Sequence, residues 1–250
     1  MRFASWFPAV LVVAAAACLA QSPIALAPIP LQTTSGTGFT GAPYSGKQTT
    51  VKTQTLTDGT TTTETHVELV WRDAEGRTRR HMIRHADSGA EFGSIIITDP
   101  VAGIYLKWTS GDEVPRRVVS IWPVTPAQLV TAAPPSGPPL TSNSSATLST
   151  PDFQREILAP QDINGVYADG TRTTRTIRLE GESSGRVIEV TNELWLSRDL
   201  RIIVRHIHDD PRSGRTVTDL TDVVRGDPDP SLFQAPEGYQ VIDHRVKSGQ

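Results

Sequence analysis

The chain has 250 residues, of which 37% are hydrophobic and 20% are charged, and its formal net charge is −3. This length suits one domain with a sizeable core. The negative charge and the lack of a block of Lys and Arg exclude a nucleic-acid groove, which needs clustered basic side chains.

The first 20 residues have the pattern of a secretory signal peptide. Arg2 supplies the positive start, Trp6 to Ala17 form an apolar stretch, and Cys18-Leu19-Ala20 is a small-x-small cleavage site. The apolar stretch is too short for a retained transmembrane helix. We therefore expect an exported protein, periplasmic or extracellular, with no stable transmembrane segment after processing.

Cys18 is the only cysteine, so cleavage after Ala20 leaves a mature chain without disulfides or cysteine-based catalysis. The alternative is a lipoprotein signal, in which Cys18 is lipidated and anchors the chain. A lipobox normally carries Leu at the third position before the cysteine, where this chain has Ala15. The ordinary signal peptide is therefore favoured.

Residues 21–44 are rich in Pro, Gly, Thr and Ala without a hydrophobic period, and they predict a flexible lead-in. A single β domain is expected over residues 45–250. Its first half has predicted strands from Thr49 to Leu56, from Thr60 to Trp71 and in shorter runs beyond, with glycine-containing turns between them. From about 123 to 151 a Pro/Ser-rich composition cannot pair into a sheet, which predicts a disordered insertion within the domain.

The second half is predicted to begin with a short helix over Phe153 to Leu158. Asp169-Gly170 predicts a turn before a strand from Thr171 to Leu179. The clearest hairpin has Arg201 to His208 as one arm and Arg215 to Val224 as the other. Both arms are rich in β-branched residues, and a loop with Pro and Gly joins them.

Near the end of the chain, the run from Asp229 to Phe233 predicts a helical turn, because Asp caps helices and Pro suits the first helical position. No segment longer than two turns has a 3.6-residue apolar period. The expected fold class is therefore mainly β: a curved antiparallel sheet, an open half-barrel, with one or two short helices.

Three segments carry a resemblance to known proteins. They are the run from Ile163 to Ile177, the segment Asp99 to Gly103, and the run from Gly226 to Tyr239. They resemble an uncharacterised family of exported bacterial proteins, over about Gly41 to Val241 apart from the Pro/Ser insertion. The strand pattern and the closing Phe-x-x-Pro-x-x-Tyr motif are similar to the lipoprotein-carrier-like half-barrel related to LolA, LolB and RseB. The resemblance implies this fold and brings no catalytic residues.

Two motifs are candidates for a catalytic or a metal site. His206 and His208 lie two residues apart on one predicted strand face, a spacing at which two imidazoles can reach one metal. A zinc site needs three or four ligands, and the sequence places no third, so neither a metal nor a cofactor is predicted. Gly181-Glu182-Ser183-Ser184-Gly185 matches G-x-S-x-G, but a strand follows where a nucleophile elbow requires a helix. We therefore predict a turn and no enzyme activity.

Two groups of arginines are candidate anion sites for a lipid headgroup or an acidic partner surface. The first comprises Arg77, Arg79, Arg80 and Arg84 with His81, and the second Arg172, Arg175 and Arg178. The alternative interpretation is that these side chains form solvated strand faces that protect the sheet against aggregation.

Four tryptophans lie on or near predicted strands: Trp71, Trp108, Trp122 and Trp195. In a curved open sheet they could line an apolar groove; the alternative is that they form core. The predicted function is an exported non-enzymatic binding protein that holds a lipid, a lipoprotein acyl chain or an apolar peptide on a concave sheet. Its alternative is a cell-envelope interaction or sensor module that binds another protein. A metal-dependent hydrolase using His206 and His208 is a third, weaker hypothesis.

Overall fold

The computed structural model describes residues 40–86, 88–111, 114, 116–124, 148–150, 152–178 and 187–245. Within these ranges the chain forms thirteen strands and one 3₁₀ helix. The strands are β1 Tyr44–Thr55, β2 Thr61–Arg72, β3 Thr78–His85, β4 Glu91–Asp99, β5 Ile104–Gly111, β6 Val118–Pro123, β7 Leu148–Thr150, β8 Phe153–Ile163, β9 Val166–Arg178, β10 Val187–Ser197, β11 Ile202–Asp210, β12 Gly214–Arg225 and β13 Gln240–Asp243. The 3₁₀ helix, Pro230–Phe233, lies between β12 and β13.

All thirteen strands belong to one sheet, in the order β13-β6-β5-β4-β3-β2-β1-β12-β11-β10-β9-β8-β7. β1 to β6 form one antiparallel meander and β7 to β12 another, and the pairing of β1 with β12 joins them. β13 returns to one edge and pairs in parallel with β6. The sheet is open and curved, so the predicted fold class, a mainly β curved antiparallel sheet, is confirmed.

The hairpin turns use residues that tolerate a left-handed backbone. Gly59 and Gly76 have φ values of 85° and 84° in the β1–β2 and β2–β3 turns, which glycine adopts without a Cβ penalty. Asn164 and Gly165, at 52° and 81°, form the two-residue turn between β8 and β9. The hairpin predicted over Arg201 to Val224 is confirmed as β11 and β12.

Two predictions in the second half are wrong. Phe153 to Leu158, expected as a helix, belongs to β8 and pairs with β9. Asp169-Gly170, expected as a turn, lies inside β9. A Cβ on Gly170 would lie 2.6 Å from Cζ3 of Trp195 and 2.9 Å from Cβ of Leu158, so this glycine makes room for an indole ring. In both places strand pairing overrides the local signal.

The boundaries of several predicted segments can be compared with the strands. β1 begins at Tyr44, the last residue of the predicted lead-in, and β6 ends at Pro123, where the insertion was expected to begin. The predicted signal peptide, Cys18, residues 125–147 and the Gly181–Gly185 motif lie outside the described residues and stay predictions. No helix in the described ranges is both long and apolar enough to cross a membrane.

Alternation of side chains along each strand gives the sheet two faces. The face that carries Trp71, Arg79 and Trp108 is called the front face, and the face that carries Val70 and His206 is called the back face. Two hydrophobic cores form. The central core contains Tyr44, Val70, Ile163, Val166, Ala168, Trp195, Leu200, Ile202, Val204 and Leu220. The edge core contains Ile95, Ile97, Leu106, Trp108, Val119 and Phe233.

Candidate functional site

The four tryptophans predicted as ligand contacts occupy different parts of the sheet. Trp108 and Trp195 are only 5% and 4% exposed and belong to the edge core and the central core, respectively. Trp71 is half-buried and packs against the edge core. Trp122 lies on the back face, where its ring stacks on Tyr105 with centroids 5.0 Å apart. The structure therefore brings Trp71 and Trp108 together, but neither Trp122 nor Trp195 joins them.

Trp71 and Trp108 meet at Arg79, which lies between them on the front face. The Arg79 Cζ atom is 5.6 Å from the Trp71 ring centroid and 5.4 Å from the Trp108 centroid, within the range of cation–π attraction. Its Nη1 donates to the Leu232 carbonyl at 2.9 Å, while its buried Nε has no hydrogen-bond partner among the described residues. Burial lowers the pKa of the Arg79 guanidinium, which stays charged at neutral pH. These three side chains form what we call the aromatic slot, which holds a permanent positive charge.

Residues 226–239 cross the front face over the edge core and form what we call the strap. The predicted helical turn is confirmed here, since the Asp229 carboxylate accepts a backbone N–H of the 3₁₀ helix at 2.8 Å. Phe233 is 7% exposed within the edge core, and the Arg77 Cζ atom is 5.2 Å from its ring centroid. Asp227 accepts a backbone N–H from the β2–β3 turn at 2.8 Å. The strap is therefore fixed to the same part of the sheet as the aromatic slot.

Beyond the strap, no described element covers the front face. Apart from the approach of the 3₁₀ helix to β3, the backbones of the described strands lie extensively alongside only their neighbours in the sheet. Half-buried aliphatic side chains run across five neighbouring strands and form what we call the apolar lane: Ile83 on β3, Leu69 and Val67 on β2, Val51 on β1, Val217 on β12 and Ile207 on β11. At about 4.8 Å per strand, the lane is about 19 Å long.

Charge is distributed unevenly between the two faces of β1 to β3. The carboxylates on these three strands, Glu64 and Glu68, lie on the back face. There Glu68 is ion-paired with Arg80, and Glu64 lies 2.9 Å from the His66 Nε2 atom. The front face carries Lys47 and Arg79 and no carboxylate. Lys47 is exposed and lies opposite Leu69. At the end of the lane nearest the strap, β1 to β3 therefore present apolar and positively charged side chains and no carboxylate.

The front face of β8 to β12 is chemically different, because its charged side chains pair with one another across strands. The pairs are Arg205 with Asp219 at 2.5 Å, Arg215 with Asp209 at 3.1 Å, and Arg172 with Glu193 at 2.8 Å and with Glu156 at 3.1 Å. In the first arginine group, Arg77 and Arg80 are also ion-paired. Arg79 differs from these paired arginines, since its guanidinium lies between two indole rings.

His206 and His208 lie on the back face of β11, opposite Thr218 and Thr216 of β12. His206 is 3% exposed, and burial, with a smaller contribution from His208, lowers its pKa to about 4. The described part of the chain contains no group of three or more His, Cys, Asp or Glu side chains that could hold a metal ion. Among described residues, the pair therefore lacks the third ligand that zinc requires.

His81 and Ser110 form a hydrogen bond on the front face, with 2.9 Å between Nε2 and Oγ. Gly93 permits it, because a Cβ there would lie 2.8 Å from the same Nε2 atom. Burial, with a smaller contribution from Arg79, lowers the pKa of His81, so the imidazole is neutral at pH 7. No carboxylate of the described residues is hydrogen-bonded to this ring, so the orienting acid of a catalytic triad is missing from them.

Sequence reasoning missed Lys47 and most of the apolar lane. The alternation of Val67, Leu69 and Trp71 was visible, but their neighbours across the sheet depend on the register of β1 with β12 and of β2 with β3. One sequence signal could have pointed to the site. The carboxylates of the first three strands, Glu64 and Glu68, both lie at even-numbered positions of β2, on the face opposite Leu69 and Trp71.

No protein-family model and no curated protein matches the sequence. Among solved structures, the chain is similar to a chain in the complex structure of Pseudomonas aeruginosa MucA/MucB, with 14% identity, a TM-score of 0.34, and coverage of 80% of this chain and 58% of that chain. This chain thus spans less than two thirds of that one. It is also similar to a LolA superfamily protein from Nitrosomonas europaea, with 10% identity, a TM-score of 0.34, and coverage of 79% and 92%.

Proposed function

We propose that this protein is an exported, non-enzymatic binding protein of the cell envelope that holds an apolar ligand on the front face of its sheet. The apolar lane carries the proposal, because its aliphatic side chains share one face of five neighbouring strands and no described element covers them. Removing apolar surface from water is favourable by about 25 cal/mol per Å². A lipid, an acyl chain or an apolar peptide laid along the lane gains this stabilisation.

Trp71 is the predicted contact residue that borders the lane, since it follows Leu69 by two positions on the same face of β2. Trp108 holds Arg79 from the opposite side, so we assign it a supporting role in the aromatic slot. Trp122 lies on the back face and Trp195 in the central core, and we place neither in the ligand contact.

Native mass spectrometry of the mature protein from an envelope extract, with lipid analysis of the same sample, tests this proposal. We expect a co-purifying lipid or acylated peptide. Leu69→Gln should reduce its occupancy by about tenfold, because an unpaired amide in an apolar contact costs about 1–3 kcal/mol. Met82→Gln is the matched control, since Met82 is half-buried on the back face of β3. A bare wild-type chain, or equal occupancy in the two variants, would refute the proposal.

The alternative function, an envelope interaction module, is favoured by a different observation at the edge of the sheet. β13 is the outermost strand there, and Val241 and Ile242 are 54% and 40% exposed. Gln240 and His244 donate their backbone N–H groups toward β6, so the N–H of Val241 points away from the sheet. Such an edge can pair with a strand of another protein. A protein partner that wild type retains and Val241→Pro loses, together with an empty lane, would favour this function.

A further inference from the structure

We infer that the ligand is an anionic amphiphile whose acidic headgroup lies at Lys47, beside the aromatic slot, and whose chain lies along the apolar lane. This inference rests on the proposed function and adds the chemical class of the ligand and its orientation. Two chemical sources share the required features: the carboxylate of a free fatty acid and the phosphate of a lysophospholipid.

The charge of the front face supports an anionic headgroup. Lys47 and Arg79 are the Lys and Arg side chains on the front face of β1 to β3, and no carboxylate of these strands shares that face. Asp219, which the register places diagonally from Lys47, is already paired with Arg205 at 2.5 Å. Two cations beside apolar surface create a positive potential that attracts an anion.

The register also defines where the headgroup lies. Lys47 and Leu69 form one cross-strand pair, and Ser45 and Trp71 form the next pair on the same face. A headgroup that accepts hydrogen bonds from the Lys47 ammonium therefore lies beside the Trp71 ring and near the fixed charge of Arg79. Lys47 is exposed, so its ammonium can turn toward the ligand without breaking an ion pair.

The opposite end of the lane fixes the orientation of the chain. From Leu69 the lane continues through Val67 and Val51 to Val217 and Ile207. Beyond it, the arginines of β9 to β12 on this face are already bound to carboxylates. An acidic headgroup therefore meets Lys47, which forms no ion pair among the described residues, at the strap end of the lane, and arginines already paired with carboxylates at the other end.

Calorimetric titration of the delipidated mature protein tests this inference with two pairs of probes below their micellar concentrations. Oleate is compared with uncharged monoolein, and lysophosphatidylglycerol with zwitterionic lysophosphatidylcholine. The anionic member of at least one pair should bind about tenfold more tightly than its partner, the scale of one hydrogen bond to a charged group. Selection in the oleate pair alone identifies a carboxylate ligand, and selection in the lysophospholipid pair alone a phosphate ligand.

Lys47→Gln should remove most of this selectivity and leave the uncharged probes unaffected. Lys52→Gln is the matched control, because Lys52 is an exposed lysine on the back face of the same strand. Equal binding within both probe pairs would overturn the headgroup inference and leave the proposed function standing. Equal weakening by the two substitutions would overturn the assignment to Lys47. Failure of all four probes to bind wild type would count against an amphiphile ligand altogether, whereas the co-purification experiment separately tests the proposed function.

Discussion

The front face of this sheet has two regions with the same strand geometry and opposite chemistry. On β8 to β12 the arginines are paired with carboxylates, as Arg205 is with Asp219 and Arg172 with Glu193. On β1 to β3, Lys47 and Arg79 share the face with aliphatic and aromatic side chains and no carboxylate. Charges that neutralise one another offer little to a ligand, whereas uncompensated charge beside apolar surface attracts one. We therefore expect substitutions in the paired region to act on folding and those in the unpaired region to act on binding.

The largest effect is expected at Arg72, which connects the two regions. Its side chain is fully buried, with Nε donating to the Ala42 carbonyl before β1 at 3.0 Å and Nη2 donating to the Leu200 carbonyl in the β10–β11 turn. Arg72→Leu leaves both carbonyls unpaired, so the free energy of unfolding in urea should fall by about 3–5 kcal/mol. Arg84→Leu, at an exposed position of β3, should change it by less than about 0.5 kcal/mol. An equal loss of unfolding free energy in the two variants would show that the hydrogen bonds of Arg72 do not stabilise the connection between the two regions.

A smaller loss is expected from Gly170→Ala within the paired region. The new Cβ would lie 2.6 Å from the Trp195 ring and must displace it, which should lower the free energy of unfolding by about 2–3 kcal/mol. Gly46→Ala should cost less, because its first contact is the terminal Cδ1 of Leu220 at 3.0 Å. Thermal unfolding measures both variants. Ligand occupancy should be unchanged in each variant at temperatures where it is folded. A selective loss of ligand in Gly170→Ala would contradict the expectation that substitutions in the paired region act on folding alone.

Acidification should also weaken the fold through the buried His206. Its pKa is about 4 in the folded chain, below the ordinary value of 6.5, because burial disfavours the imidazolium. Between pH 6.5 and about 4 the unfolded chain therefore binds a proton that the folded chain does not. The stability contributed by the neutral ring is complete above pH 6.5 and is lost as the pH falls, by up to about 3 kcal/mol. Urea unfolding across this window should show a flatter pH dependence in His206→Gln than in wild type, and equal slopes would contradict the assignment.

The smallest effect on stability is expected at Arg172, and together with Lys47 it tests most directly whether the paired region acts on folding and the unpaired region on binding. The side chain of Arg172 is 43% exposed in its pairs with Glu193 and Glu156, so Arg172→Gln should lower the free energy of unfolding by less than about 1 kcal/mol. Oleate affinity should not change. Lys47→Gln should show the reverse, with unchanged stability and weaker oleate binding. Urea unfolding measures the stability of the two variants, and calorimetric titration measures their oleate affinity. If both substitutions changed stability and affinity to the same extent, the two regions would not differ in role.

The local parts of the fold were predictable from sequence, because their signals lie within a few residues. The β11–β12 hairpin follows from two β-branched arms around a loop with Pro and Gly, and the cap at Asp229 follows from the residue types at the start of a helical turn. Gly170 was misinterpreted for a physical reason. A glycine in a turn and a glycine beneath an indole ring look alike until the partner, Trp195, is placed over it.

The candidate site was less predictable than the fold. The alternation along β2 indicated that Leu69 and Trp71 share a face, but the lane and the aromatic slot are built across strands. Lys47 belongs to no recognisable motif. It stands out only because no carboxylate of β1 to β3 shares its face once these strands have paired. The four tryptophans are equivalent in sequence, because each lies on a β-rich stretch. Only the strand register shows that Trp71 lies on the front face and Trp122 on the back face.

β13 pairs with a strand that precedes it by about 120 residues, and β1 pairs with β12 across most of the described chain. Closing such long loops before native contacts form costs conformational entropy, so contacts of this range slow the folding reaction. Until the strap docks, the edge core around Trp108 and Val119 lacks its cover and exposes apolar strand surface to water. During that interval the nascent chain is prone to aggregate, and this stretch is the one that a chaperone would need to shield.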